Sequence, residues 1–277
     1  MTLHRSLLVA ASIGAGLLQA ACLAGSNEVN PIDPLGLEGQ TGGGGDTHGS
    51  NGLKSESFVL AMDDLWASTS AAFDGNNTAL GTMEGSQAGV DTLEYAARIA
   101  LPTGNHGGPN MLWPGEGMLA STSGWTTGPL AAQQKYDLFA VMLAHLNPFG
   151  EEEDIRLSGA ALAPGNMPLG EQSMYTFQEA LWVVYENANG LQLEVWPLEN
   201  LSGVCVQKTA QATKTRLCGQ YARTHCPVTV RTDYETHCTY DATVDAWTSC
   251  EGHPAIQTWL KADGWVTLYP GCAPRPQ

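Results

Sequence analysis

Residues 176–197 read TFQEALWVVYENANGLQLEVWP, and the fold class turns on how this stretch divides. Thr176-Phe177-Gln178-Glu179 has the form of a capping box, in which a hydroxyl and a carboxylate each satisfy a backbone N–H of a first helical turn. The run behind it is predicted as a helix with Phe177, Leu181 and Val184 inside and Asn189-Gly190 as its stop. From Gly190 the period changes. Leu191, Leu193 and Val195 alternate with Gln192, Glu194 and Trp196, the pattern of a half-buried strand.

Upstream, the helical period recurs. Val90, Leu93, Ala97 and Leu101 line one face of a helix that Pro102 ends. Tyr136, Phe139, Ala140, Leu143 and Leu146 line another, over 131–147, that stops before Pro148. Phe58, Ala61, Leu65 and Ala72 suggest a further helix broken at Asp74-Gly75. Downstream, Val228 with Val230 and the run from Trp265 to Tyr269 are short and β-like. The prediction is an α+β protein, a helical body followed by a small disulfide-stapled, strand-rich C-terminal region.

Charge marks a boundary at the same place. The chain carries a formal net charge of −16. Within 57–200 only Arg98, Lys135 and Arg156 oppose 17 acidic residues, whereas beyond residue 200 seven basic residues meet six acidic ones. This predicts a mainly helical acidic domain over 57–200 and a cysteine-rich one over 201–277. So acidic a body argues against nucleic acid or anionic lipid as a partner.

The N-terminus sets the compartment. His4 and Arg5 precede an apolar run from Leu7 to Leu18, then Gln19-Ala20-Ala21-Cys22, and this resembles a bacterial lipoprotein signal over 1–22. Gln19 stands where that pattern has an aliphatic residue, and a conventional export signal cut after Ala24 is the competing reading. The resemblance implies lipidation of Cys22, a membrane contact through that lipid, and an outer-membrane lipoprotein; the competing reading gives a secreted protein. Residues 23–56, with Pro31, Pro34 and Gly42 to Gly45, bury too little apolar surface to offset their ordering entropy and are predicted to be a tether.

Without Cys22, six cysteines remain, Cys205, Cys218, Cys226, Cys238, Cys250 and Cys272. An even set in an exported chain reads as disulfides, with the pairing left open. Thr224-His225-Cys226 and Thr236-His237-Cys238 repeat a tripeptide twelve residues apart. Zinc ligands usually come two to four residues apart, so disulfides are expected and no metal or cofactor is.

Other chemistry is sparse. Asp74-Gly75-Asn76-Asn77-Thr78-Ala79 starts like a calcium loop, but Ala79 stands where the glycine belongs and Glu84 falls one residue early, so a capped turn is expected. Glu151-Glu152-Glu153-Asp154 reads as a solvated charge run. Gly115-Glu116-Gly117 lacks the preceding strand of a dinucleotide fingerprint. His145, near a helix end, is expected to serve the helix dipole. His106, in Asn105-His106-Gly107-Gly108, is a candidate base, with Glu179 or Glu186, two turns apart on the predicted helix, as a candidate acid. Trp247, Trp259, Trp265 and Tyr269 are candidate sugar- or protein-binding rings, with burial in a small core as the alternative.

Three blocks, Glu94-Tyr95-Ala96-Ala97-Arg98-Ile99-Ala100-Leu101-Pro102, Gly115-Glu116-Gly117 with Gly124-Trp125, and Leu143-Ala144-His145-Leu146-Asn147-Pro148-Phe149-Gly150, resemble a block order in uncharacterised exported proteins of bacteria. The resemblance implies an exported or lipidated surface protein and carries no activity. The expectation is a cell-envelope protein with a non-enzymatic binding or structural role, contacting an envelope protein or glycan. An exported hydrolase using His106 with Glu179 or Glu186, and a carbohydrate-binding module, are the alternatives.

Overall fold

The computed structural model describes residues 45–50, 52–74, 77–107, 113–119, 125–149, 152–163, 171–198 and 209–270. Strand β1 (Gly45–Ser50) and the two-residue strand β2 (Leu53–Lys54) lead into α1 (Ser55–Ser68). The chain is thus in regular structure from Gly45, inside the stretch predicted as tether. Helix α2 (Thr78–Glu84) starts where the Asn77 side chain accepts a hydrogen bond from the Ala79 N–H at 3.0 Å. That cap is what the calcium-like motif forms. Helix α3 (Gln87–Ala100) is capped by Ser86, whose hydroxyl accepts from the Gly89 N–H at 3.0 Å. It ends because Leu101, preceding Pro102, is extended.

A short ladder of β3 (His106–Gly107) and β4 (Trp113–Pro114) precedes α4 (Ala132–Ala144). At the start of α4 the Ala131 N–H donates to the Gln134 side chain at 2.8 Å. Two residues past its end, β5 (Leu146–Asn147) pairs in parallel with β2. These helices and their neighbours share one continuous core in which Phe58, Leu65, Leu93, Phe139, Val141 and Leu143 are fully buried. At roughly 1.5–3 kcal/mol for each large apolar side chain, this packing is the main stabilising term.

From β6 (Asp154–Gly159) on, a sheet dominates, and two predicted assignments are corrected. Residues predicted as a helix from Phe177 form strand β7 (Phe177–Asn187), which turns through Ala188-Asn189 into β8 (Gly190–Pro197). Gly190 sits at φ +97°, a left-handed conformation that suits glycine in this tight turn. Leu181, Trp182, Val183 and Val184 are all buried, so the segment lacks the alternation that marks a half-exposed strand. Its β-branched and aromatic side chains settle the conformation against the capping-box pattern.

Helix α5 (Thr209–Cys218) is the crossover that β9 (Val228–Val230) needs to pair in parallel with β8. After the short α6 (Tyr234–His237) come β10 (Cys238–Asp241), β11 (Ala246–Cys250), β12 (His253–Leu260) and α7 (Ala262–Leu268). The second correction lies here: Trp265 to Leu268, predicted β-like, belong to α7, whose Gly264, Trp265 and Leu268 are buried at helical spacing.

The main path of the sheet is β1-β6-β12-β7-β8-β9, with the β10–β11 hairpin joined to β12. It crosses residue 200 through the β8–β9 pairing, so the charge boundary does not separate two folding units. Ala180, Trp182, Val184, Leu193, Val195 and Ile256 face the helical core. Leu181, Val183, Trp196 and Ala255 face the other way, into a smaller cluster under the β10–β11 hairpin. No helix among the described residues is long and apolar enough to cross a membrane.

Asp137 on α4 is buried, and its polar contact is with Gln133 Nε2 at 2.8 Å. Burial pushes its pKa above the ordinary carboxylate value, against the opposing effect of the Gln133 hydrogen bond. Above the ordinary value the unfolded chain loses this proton more readily than the folded one, so Asp137 costs stability as pH rises and is neutral at low pH. Asp137→Asn is therefore expected to melt above wild type at pH 7, with the two curves converging towards pH 4 in thermal unfolding followed by circular dichroism.

Candidate functional site

The candidate acid–base residues of the hydrolase alternative lie apart. Glu179 does not lie on a helix with Glu186; both are on β7, seven residues and roughly 23 Å of strand apart. Glu186 is exposed near the turn, while Glu179 is buried. His106 lies exposed on the separate β3–β4 ladder.

A bulge determines what Glu179 does. In the β12–β7 pairing Thr258 meets Ala180 and Trp259 meets Gln178, leaving Glu179 as the extra residue. A regular pleat would give it the parity of Leu181; the bulge turns its carboxylate to the helix side. There Arg216 Nε lies 2.7 Å from Oε1 as an ion-pair contact rather than an aligned hydrogen bond, and the Arg216 Nη2 group donates to Oε2 at 3.3 Å. The Tyr269 hydroxyl donates to Oε1 at 2.8 Å and the Thr258 hydroxyl to Oε2 at 2.9 Å. Trp182 Nε1 donates to Thr258 at 3.0 Å, and the guanidinium sits 5.0 Å from the Trp182 ring centroid. Burial, then the Glu179 charge, drives the Tyr269 pKa well above its ordinary value, so the hydroxyl stays a donor. Every oxygen of Glu179 is spoken for inside the core, which makes it a structural anion rather than an acid for substrate.

A polar cleft does exist elsewhere. Tyr95, Arg98 and Ile99 from α3, Glu116 and Met118 from the loop after β4, and His145 at the end of α4 line it. All of these but Met118 come from the three sequence blocks that carry the resemblance to exported proteins. Arg98 grips Glu116 through Nε at 2.8 Å and Nη2 at 2.7 Å. Its guanidinium also lies 5.1 Å from the Tyr95 centroid. His145 Nδ1 donates to the Val141 carbonyl at 2.7 Å, satisfying one of the orphan acceptors of the α4 terminus. The Tyr95 hydroxyl is buried without a hydrogen-bond partner among the described residues. Burial first, and then the nearby Glu152 carboxylate, raise its pKa far beyond the ordinary value. The free space accommodates about one water molecule, too little for an organic substrate.

The candidate binding rings separate into two groups. Trp265 and Tyr269 stack at 4.7 Å inside the main core, and Trp259 is buried beneath the Arg156 guanidinium at 4.3 Å. Trp247 is half-buried on β11. Its ring meets Tyr240 of β10 at 5.5 Å and Tyr234 of α6 edge-on at 5.2 Å. Neither tyrosine was singled out from sequence. The alternation in Cys238-Thr239-Tyr240 opposite Ala246-Trp247 is the signal that pairs Tyr240 with Trp247.

Disulfides join Cys218 to Cys226 and Cys238 to Cys250. The two Thr-His-Cys repeats thus contribute to different bridges. Among the described residues no group of three or more His, Cys, Asp or Glu is placed to hold a metal. Cys22, Cys205 and Cys272 lie outside the described residues. Each closed loop contributes roughly 2–4 kcal/mol by restricting the unfolded chain. Comparison with protein-family models, with curated proteins and with solved structures finds no match.

Removing one partner of the buried pair leaves an uncompensated charge. Glu179→Ala is expected to cost about 3–5 kcal/mol in urea unfolding of the oxidised protein, and the double variant Glu179→Leu, Arg216→Met to recover most of that loss. An equal loss in both would mean that packing, not charge, dominates.

Proposed function

We propose that this chain is an exported protein held at the cell envelope by a lipid on Cys22, with its folded domain in a non-enzymatic binding or structural role. The formation of the Cys218–Cys226 and Cys238–Cys250 disulfides carries the first half of this reading, because such bridges persist in oxidising, exported environments. The lipoprotein-like signal over 1–22 supports the second. Of the stretch 23–56 predicted as a tether, residues 45–50 form β1, and 23–44 lie outside the described residues.

Two observations support binding rather than turnover. Glu179, one of the two candidate acids, is consumed in the core, and the polar cleft admits about one water.

The test is the intact mass of the mature protein from its native host, before and after reduction and alkylation, with mapping of the N-terminal peptide. The expected result is an acyl adduct on Cys22, with the remaining six cysteines alkylated only after reduction. An unmodified N-terminus beyond Cys22 would make the protein freely secreted and overturn the anchored reading.

A further inference from the structure

The face of the sheet turned away from the helices carries a cluster of aromatic side chains. Trp196 and Tyr185 lie on it, Tyr185 stacked on His253 at 3.9 Å and 6°. Over it sits the β10–β11 hairpin with Tyr240 and Trp247 directly paired, and Tyr234 standing at 90° to the indole. Part of this assembly is core: Trp247, Tyr234 and Tyr185 pack against the small cluster of Leu181, Val183 and Trp196. Tyr240 goes further than a core requires, with 45% of its surface exposed. A bulge between Thr239 and Tyr240 interrupts the hairpin register at that residue, the kind of irregularity that re-aims a side chain.

The hairpin is held still. Cys238 and Cys250 are directly opposed in the ladder and bridged. The Trp247 backbone N–H donates to the Gln257 side chain, which rises from the buried sheet, at 2.9 Å. Tyr240 donates its hydroxyl to Asp245 across the turn. Rings fixed this way lose little conformational freedom on binding.

A polar fringe completes the surface. Asp241 Oδ1 accepts from the Thr243 hydroxyl at 2.7 Å and from its N–H at 2.8 Å, and Oδ2 takes part in neither bond. Those contacts lower the Asp241 pKa, so it remains an ionised acceptor. Asp233, Glu235, Asp245 and Glu251 are exposed on the same segments, a charge that repels anionic polymers. A flat apolar ring beside fixed hydroxyl and carboxylate acceptors matches a neutral sugar, whose C–H face stacks while its hydroxyls donate.

We propose that the disulfide-locked β10–β11 hairpin, with Tyr234, is a platform for a neutral glycan, Trp247 and Tyr240 stacking on sugar rings and Asp241, Thr243 and Asp245 taking their hydroxyls. This rests on the binding role assigned above and names its ligand class.

The test is calorimetric titration of the full mature chain, from the envelope or the medium, with cellohexaose, chitohexaose and maltohexaose. Saturable binding of at least one is expected, with less than a twofold change in Kd between 50 and 500 mM salt. Trp247→Ala is expected to weaken it about tenfold or more. Tyr240→Ala, at an exposed position that leaves the core intact, is expected to weaken it several-fold while the mass of the oxidised protein and its circular dichroism stay unchanged. Absence of binding to all three sugars, binding indifferent to both substitutions, or binding abolished by salt, would each overturn the proposal. The result is independent of the Cys22 mass measurement, so an unlipidated chain that binds glycan and a lipidated chain that does not are told apart.

Discussion

A single buried charge pair organises the structure. Arg216 reaches from α5 to the end of α4, where it donates to the Ala144 carbonyl at 2.9 Å, and to Glu179 on β7. Glu179 in turn ties in Thr258 of β12 and Tyr269 beyond α7. Four elements, α4, β7, α5 and β12, and the residue after α7 meet at two side chains. Burying two charges is costly, and their attraction offsets that cost only when the remaining donors and acceptors are satisfied. Here two carbonyls, two hydroxyls and an indole face meet the pair, and only Arg216 Nε is left with an ion-pair contact in place of a hydrogen bond. The bulge that delivers Glu179 to the helix side is thus a requirement of the pair, and it fixes the register of the two central strands.

Three of the four helices before residue 150, α1, α3 and α4, were legible from apolar residues at a 3.6-residue spacing, with Pro102 and Pro148 marking two of their ends. Helix α2 was not: the turn capped by Asn77 was read, but not the seven residues of helix it opens. Residues 177–187 were not legible either. A strand covered on both faces shows no alternation, and Phe177, Leu181 and Val184 fall by chance at helical intervals. The capping-box letters are real, yet Glu179 spends its carboxylate on Arg216, 37 residues away. Trp265 to Leu268 misled in the mirror sense: a short aromatic and β-branched run became a helix whose buried positions, Trp265 and Leu268, are three apart. The charge step at residue 200 is also real. It reflects composition rather than a division of the fold, since β8 and β9 pair across it.

Of the site, individual letters were visible but not their company. Cysteine count gave disulfides; their partners came from strand register at Cys238 and Cys250 and from the turn after α5 at Cys218 and Cys226. Trp247 could be read as a ring on a stapled segment, whereas Tyr240 and Tyr234 acquire meaning only when the hairpin folds beside α6. Arg98 and Glu116, 18 residues apart, meet because the loop after β4 returns along α3.

The order of strands carries a consequence for how the molecule is made. β12, almost the last element of the chain, lies between β6 and β7, and β1, the first, is an edge that depends on β6. The helices can begin to form as they emerge from the ribosome or a translocation pore, but the sheet lacks its middle until residue 260 has arrived. Until then β6 and the β7–β8 hairpin present apolar faces and unpaired edges, the features that invite association between chains. A protein with this topology needs its chain through residue 260 before the sheet can close, and β12 acts as the keystone that ends that exposure.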